Sequence, residues 1–382
     1  MSINVLQIMG CTSDQYSSME RYLVEKARVL AERRNRLVVV YENAPQSGQF
    51  VNDLVGAGGK LYRMKMKGYL DFRYYANLKK LISKEGANIV HVYFAPTSHW
   101  VSIYLTICSF RNVVRTAPNL PSAFIKERKR IRLFFERYFA FRHRLLAIFV
   151  KRIICRSGAV QSQFLRFGVP SHKLKVVAGG VDTRVYRYSQ GLRKKVRMEL
   201  GISDNAFVIG AFCRLVRTKR IDQLIKSFRH LQNGERNYRL LVVGEGSEFG
   251  ALKQLATSLS IDDSTIFLGR RENVTDLYSA LDVFCSSSYA EGMSNSMLEA
   301  MASELPIIAS DISPNRELIE DGNGGYLINF DNPDELKRCI ELISDAETWK
   351  EMGVYNRHKV IREYSLQSRI EKELALYAEV IS

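Results

Sequence analysis

VFCSSSYAEGMSNSMLEAMA, residues 283–302, runs as strand, turn and helix, and the rest of the fold can be worked out from it. Val283–Ser286 is a short apolar run of the kind that forms a buried strand. Ser287–Ala290 is a polar turn, and Gly292 permits the chain to bend tightly close to a ligand. Ser294, Asn295 and Ser296 are natural N-caps for a helix over Met297–Ala302. The backbone N–H groups at such a helix start favour a phosphate. Two carboxylates bracket the start, Glu291 in the turn and Glu299 further into the helix, and carboxylates accept hydrogen bonds from sugar hydroxyls. A plainer reading stands beside this one. Ser296-x-x-Glu299 also fits a capping box, and Glu291 also fits a solvated loop acid.

The same strand-then-helix alternation extends in both directions. Asn4–Met9, Leu37–Tyr41, Leu61–Lys65, Ile89–Phe94 and Val113–Thr116 read as strands, with helical patterns at Met19–Arg33 and Phe72–Ser83 between them. A second series begins with Phe207–Phe212 and continues through Tyr238–Val243, Thr265–Leu268, Val283–Ser286 and Pro306–Ala309. Helical patterns near 219–232, 247–260, 296–304 and 333–343 separate these. Near-continuous apolar strands alternating with amphipathic helices imply α/β domains with parallel sheets covered on both faces. The expected architecture is two Rossmann-like doubly wound domains facing a cleft, with the break near Asp182–Gln190. The bounds are 1–183, 184–364 and a closing helix at 365–382.

Two further segments carry chemistry. In GAFCRLVRTKRI, Gly210–Ile221, a strand ends near Phe212 and Arg214 and Lys219 follow it. A guanidinium fork and an ammonium placed there can clamp a diphosphate, although basic residues on surface loops are often only solvated. In LVVGEGSEFGA, Leu241–Ala251, Gly244 and Gly246 sit between strand and helix. Gly250 falls one residue too late for G-x-G-x-x-G, so a dinucleotide fingerprint is not expected and an ordinary glycine turn also fits. No D-x-D occurs, and clustered carboxylates for a divalent metal are not in evidence. His91, on an apolar strand, reads as a strand residue or as a catalyst.

Composition bounds the class. The 382 residues carry 56 Lys and Arg against 40 Asp and Glu, a net charge of +16. The excess is confined to one half: residues 1–200 hold 36 basic and 12 acidic side chains, the remainder 20 and 28. That asymmetry points to a polyanionic partner for the first half. The longest apolar stretches, such as Leu145–Val150, fall far short of the roughly 20 residues of a membrane span. No secretory leader pattern opens the sequence, and the six scattered cysteines form no C-x-x-C pair, which suits a reducing, cytoplasmic setting.

Taken in order, these segments resemble glycosyltransferase family 4, retaining nucleotide-sugar transferases of the GT-B fold and of the kind that build bacterial cell-surface polysaccharides. Glu291 and Glu299 stand in its E-x7-E signature, and Arg214, Leu215 and Lys219 in its Arg–Leu…Lys element. IFLGRRENV, Ile266–Val274, matches the stretch before a base-contacting loop, and Gly179-Gly180-Val181-Asp182 its inter-domain signature. Tyr364–Ile381 looks like its last helix. The resemblance implies transfer of a hexose-type sugar from a nucleoside diphosphate, UDP before GDP, to a glycan or polyprenyl-linked acceptor. It implies no metal and no other cofactor. It gives Glu291, Arg214 and Lys219 catalytic roles, with donor contacts from Gly292, Met293, Ser294, Asn295, Ser296, Glu299, Gly244, Arg270 and Val274. On the acceptor side it points to Gly10, Thr12, His91 and Asn119. The chain departs from the pattern in four places: a single glycine, Gly10, in the first loop, Pro118 where many members carry a His, Gly179 for the linker Asn, and Arg220 for the Gly after the phosphate Lys.

Three rival readings remain in view. A glycoside hydrolase acting through Glu291 and Glu299 is disfavoured, because eight helical residues span about 12 Å and retaining hydrolases place their carboxyls about 5–5.5 Å apart. A nucleotide-sugar epimerase of the same fold needs no acceptor. A nucleic-acid-binding protein would use the basic half, but no recognisable module accompanies the charge, and nucleic acid is not expected as a partner. Residues 124–156 interleave eleven Lys and Arg with aromatic rings, a composition suited to an anionic membrane surface. Peripheral attachment to the inner face of the cell membrane is therefore expected.

Overall fold

Apolar, β-branched runs of the sequence become the strands of two parallel sheets. The structure is a computed structural model that describes residues 2–10, 16–43, 45–68, 70–93, 98–117, 132–232, 234, 236–271 and 274–382. The first unit comprises Met1–Gly180 and Leu366–Ser382, and the second Val181–Ser365.

In the first unit the strands are β1 (Asn4–Met9), β2 (Arg36–Tyr41), β3 (Lys60–Arg63), β4 (Ile89–Tyr93), β5 (Val113–Thr116), β6 (Arg152–Cys155) and β7 (Leu174–Val176). They line up as β3-β2-β1-β4-β5-β6-β7. The second unit holds β8 (Phe207–Phe212), β9 (Tyr238–Val243), β10 (Thr265–Gly269), β11 (Val283–Ser286), β12 (Ile307–Ser310) and β13 (Gly325–Ile328), in the order β10-β9-β8-β11-β12-β13. Both sheets are wound the same way. Each reverses direction once, between β1 and β4 and between β8 and β11. In such sheets the crevice for a ligand lies beyond the carboxyl ends of the strands at that reversal.

The first sheet is covered on both faces. Leu6, Val38, Val90 and Val113 face one apolar cluster, and Val5, Leu37, Val39 and Val114 face another. The second cluster is completed from far along the chain. Leu366, Ile370, Leu374, Leu376, Tyr377 and Val380, on the helix Leu366–Ile381, pack into it. That helix belongs to the first unit although it follows the whole of the second.

A fully buried group of polar side chains fixes the docking. Lys26 Nζ lies 2.7 Å from Gln7 Oε1, 2.9 Å from Glu373 Oε2, 3.0 Å from Tyr22 Oη and 2.7 Å from Tyr377 Oη. Arg369 donates to Glu373 Oε1 at 3.2 Å and to Tyr93 Oη at 3.1 Å, and its guanidinium lies over the Tyr22 ring. Burial alone would raise the Glu373 carboxyl, but Lys26 and Arg369 together hold it well below the usual carboxylate range. Burial pulls the Lys26 ammonium down. A buried pair adds little net stability, yet breaking one strands a charge and costs about 3–5 kcal/mol.

Two losses of different size follow. Glu373→Gln leaves both Lys26 and Arg369 without a counter-charge and should cost about 3–5 kcal/mol. Lys26→Met should cost less, because Glu373 keeps Arg369. Urea unfolding of both variants against the parent measures the order. Because the folded Glu373 carboxyl lies below its unfolded value of about 4, its contribution is complete above that pH and lost as acid protonates it. The gap between parent and Glu373→Gln should therefore narrow below about pH 4.

Candidate donor site in the second unit

The reversal point of the second sheet gathers three loops. The first follows β8, the second follows β9, and the third leads from β11 into the helix Asn295–Ala302. The first two run side by side: Cys213 N–H donates to the Val243 carbonyl at 3.0 Å, and Leu215 N–H to that of Glu245 at 2.8 Å. Only glycine permits so close an approach. Gly244 and Gly246 have φ of +136° and +159°, and a Cβ at either would stand 1.8 or 2.2 Å from the carbonyl oxygen of Cys213 or Leu215. These glycines therefore shape the loop that presents Arg214.

Lys219 ends a short 3-10 turn, Arg217–Lys219, and its ammonium pairs with Glu291 Oε1. Ser288 Oγ donates to the same oxygen at 2.8 Å. Glu291 is only 4% exposed, so the pair is largely withdrawn from water. Ser287 Oγ lies 2.8 and 3.0 Å from the carbonyls of Lys219 and Arg220, which ties the first loop to the third. Arg220 sits in the left-handed region at φ +51°, where a glycine would carry no strain. The Arg214 side chain is exposed, and it makes no hydrogen bond or ion pair among the described residues. Burial pushes the Cys213 thiol up to about 12, and the charges of Lys219, Glu291 and Arg214 all act on it.

A small pocket is lined by Lys219, Glu291, Ser288, Ser294 and Ser296, with Phe212 and Phe284 also on its wall. The helix begins at its wall, so the positive end of the helix dipole lies there. The N-cap is Ser294, whose Oγ accepts from Met297 N–H at 3.3 Å. The helix thus starts two residues before the expected Met297, and Glu299 lies too far along it for the capping box that Ser296 suggested. Glu299 instead accepts from Tyr278 Oη at 2.7 Å. Burial and the Glu299 charge keep that phenol well above its ordinary value. Gly292 and Met293 lie buried in the turn before the cap, and Asn295 and Ser296 open the helix. Arg270 is exposed just past β10, and Val274 immediately precedes the helix Thr275–Ser279. The sequence reading missed Ser287, Ser288 and Tyr278. The run Ser286–Ser288 after a strand was the available signal for the first two.

The acceptor-side residues do not gather in this way. Gly10 follows β1, and its N–H donates to the Tyr93 carbonyl at 2.8 Å, at the reversal point of the first sheet. Thr12 and Asn119, and Pro118 with them, lie outside the described residues. The expectation for His91 is corrected. The residue is fully buried, with Nδ1 2.7 Å from Tyr377 Oη and Nε2 2.7 Å from Thr116 Oγ1. Burial first, then Lys26, lowers its pKa to about 3. Both nitrogens are engaged inside the fold and none is left for an acceptor. Among the described residues, no three His, Cys, Asp or Glu side chains are grouped to hold a metal ion.

The loop geometry makes a sharp contrast between two glycines. Gly244→Ala should lower stability by at least about 2 kcal/mol, through strain and a backbone clash. Gly250→Ala, with open space around it on the helix Phe249–Ser258, should leave the melting temperature unchanged or slightly raised. Thermal melting of the two variants side by side tests this.

The family model described as Glycosyltransferase Family 4 matches residues 19–185, and the one described as Glycosyl transferases group 1 matches residues 193–359. A galactosyltransferase of Escherichia coli, named for transfer from UDP-Gal to α-D-GlcNAc-diphosphoundecaprenol, is 25% identical over 81% of this chain and 80% of its own. N-acetyl-α-D-glucosaminyl L-malate synthase of Bacillus anthracis is 28% identical over 56% of this chain, which spans about half of that relative's length (55%). The crystal structure of Anabaena Alr3699/HepE with UDP and glucose superposes with a TM-score of 0.81 at 20% identity, covering 99% of this chain and 100% of that one, a likeness of fold. With the two family models matched in succession along its two Rossmann-like units, the chain belongs to glycosyltransferase family 4, with the GT-B architecture.

Proposed function

We propose that the chain is a retaining, metal-independent glycosyltransferase that moves a hexose-type sugar from a nucleoside diphosphate to a glycan or lipid-linked acceptor, in the synthesis of a cell-envelope polysaccharide. The observation that carries this reading is the Lys219–Glu291 pair at the start of the helix Asn295–Ala302, with the unpaired Arg214 beside it. A departing diphosphate needs fixed positive charge, and Arg214, Lys219 and the helix start supply it without a metal. Glu291 holds hydroxyls of the transferred sugar, and Glu299 accepts the ribose hydroxyls. UDP is the favoured donor nucleotide. It is named for the Escherichia coli relative and present in the Anabaena structure. Retention follows from same-face displacement, in which the leaving phosphate helps to deprotonate the acceptor.

The acceptor belongs to the first, basic unit, and a diphospholipid-linked sugar is the class named for the Escherichia coli relative. The helix Arg132–Leu146 supports a membrane surface as partner. Tyr138, Phe141 and Leu145 are exposed at helical spacing, Ile148 follows just beyond, and Arg137 and Arg144 are exposed among them. Lys126, Arg128, Lys129 and Arg130 lie outside the described residues. No helix among the described residues is long and apolar enough to cross a membrane. Attachment is read as peripheral, on the cytoplasmic face.

A panel of nucleoside diphosphates and nucleotide sugars, scored by thermal shift and then by transfer to a polyprenyl-diphosphate-linked sugar, tests the reading. Glu299→Ala should weaken donor binding by about 1.5–3 kcal/mol, while Glu291→Ala mainly lowers kcat. Arg214→Ala should cripple transfer with melting unchanged. Lys219→Ala should cripple transfer and also lower the melting temperature, because it strands the Glu291 carboxylate. Activity should survive EDTA. Sugar turnover with donor alone would instead identify an epimerase, and unchanged kcat and KM in all four variants would remove the site.

Liposomes test the membrane half. The protein should sediment with anionic vesicles and leave them as salt rises from about 0.1 to 0.5 M, because the Debye length shortens. Phe141→Ser with Leu145→Ser should weaken sedimentation and leave transfer to a soluble acceptor intact.

A further inference from the structure

One buried charge in the first unit has no partner among the described residues. Arg115, on β5, is 6% exposed, yet its guanidinium makes no hydrogen bond or ion pair among the described residues. An arginine taken out of water is ordinarily paired, since an uncompensated buried charge is strongly unfavourable. Lys26, Arg197 and Arg369, buried as deeply, each have a carboxylate. The charge beside Arg115 is instead a second cation, Arg142. Arg142 and His143, on the helix Arg132–Leu146, and His99, at the start of the helix Ser98–Ile107, are its near neighbours. Burial first, and then Arg142, brings the Arg115 guanidinium down to about 10. Burial first, and then Arg115, brings His99 to about 2 and His143 to about 3.

His143 makes a second anomaly at the same place. It is 5% exposed, and its Nδ1 has no hydrogen-bond partner. Its ring lies parallel to that of Phe167 at 5.9 Å, against Phe164 at 5.0 Å, and 6.4 Å from the His99 ring. Packing therefore holds the imidazole in place with a polar atom unused. Two unsatisfied polar groups in one apolar setting, both donors or potential donors and both short of negative charge, describe a site for an anion. β5 ends beside β4 at the carboxyl edge of the sheet, where ligands of this architecture bind.

We propose that Arg115, with Arg142, His99 and His143, forms a subsite for the phosphate or diphosphate of a phosphorylated acceptor. The guanidinium fork matches phosphate oxygens, and the imidazoles donate hydrogen bonds once the anion is present. The same helix that supplies Arg142 and His143 turns Tyr138, Phe141 and Leu145 outward. A diphosphate carried on a lipid would have its head at the inner side of that helix and its chain at the outer. The naming of the ligand as an acceptor rests on the glycosyltransferase reading, while the anion site itself does not.

The test is calorimetric titration of the full chain with inorganic pyrophosphate. The parent should show two classes of site, one deleted by Arg214→Ala and the other by Arg115→Met. Arg115→Met should weaken the second about tenfold or more and leave nucleoside diphosphate binding unchanged. It should also raise the melting temperature, because a residue kept for binding at the expense of the fold gives stability back when replaced. Arg142→Ala, at a half-exposed position, should weaken the same site and serves if Arg115→Met does not fold. An unchanged pyrophosphate isotherm in both variants, or a fall in melting temperature without loss of pyrophosphate, would overturn the proposal. Response to anionic vesicles alone, with none to pyrophosphate, would overturn it too and make the surface a membrane contact. A sugar 1-phosphate and a polyprenyl diphosphate in neutral detergent then separate soluble from lipid-borne phosphate; either one bound in an Arg115-dependent way upholds the subsite. Nucleotide-induced thermal shifts in the same samples report on the donor site independently, so either reading can fail alone.

Discussion

The first unit depends on one carboxylate. Glu373, 1% exposed, takes charge from Lys26 and Arg369 and a proton from Tyr22 in a hydrogen bond of 2.5 Å. Lys26 is 347 residues away in sequence. A partner so distant means that the sheet of the first unit has one face finished by a helix translated after the whole of the second unit. Apolar packing of Leu366, Ile370 and Leu374 supplies bulk attraction, which is non-directional. The buried charges supply the register, since a helix shifted by one residue would leave several of them unpaired.

Set beside that cluster, Arg115 shows how differently two groups of buried charge can be solved in one unit. Around Glu373 every charge meets its opposite, and tyrosine hydroxyls take up the remaining hydrogen bonds. Around Arg115 the charged neighbour, Arg142, is of like sign, and a ring nitrogen of the uncharged His143 is idle. The first arrangement is what stability selects. The second is unfavourable for the empty protein and becomes favourable only with something negative in place. The second unit holds a milder case: Lys219 and Glu291 satisfy each other, while Arg214 stays exposed without a partner among the described residues.

How much of this could be read from the residues depended on range. The loops at the reversal of the second sheet were legible because their pattern is local: strand, glycine or serine, then helix, within a dozen residues. That Lys219 and Glu291 lie together could be expected that way. Helix ends were read less well, since Ser294, Asn295 and Ser296 are all competent caps and only packing chose Ser294. β7 escaped because it has three residues with its central Lys175 and Val176 exposed, so no apolar run marks it. β6 is short and lies in a basic run, RIIC after Lys151. His91 was misplaced because its partners, Tyr377 and Thr116, are brought to it by the sheet and by a distant helix. Arg115 did have a signal: VVRT is a strand too apolar to sit at a surface, and its one charge had to be buried.

The order in which the chain leaves the ribosome gives the last helix a further meaning. Residues of the first unit emerge early, but the helix Leu366–Ile381 arrives only after all of the second unit has been made. At about 5–20 residues per second that is a wait on the order of ten seconds or more. Throughout it the face bearing Tyr22, Val29 and Leu37 stands uncovered, and Lys26 has no counter-ion. The second unit, contiguous in sequence, can fold meanwhile. The nascent protein is thus obliged to complete its second unit before its first, with an apolar surface open to chaperones until that helix emerges.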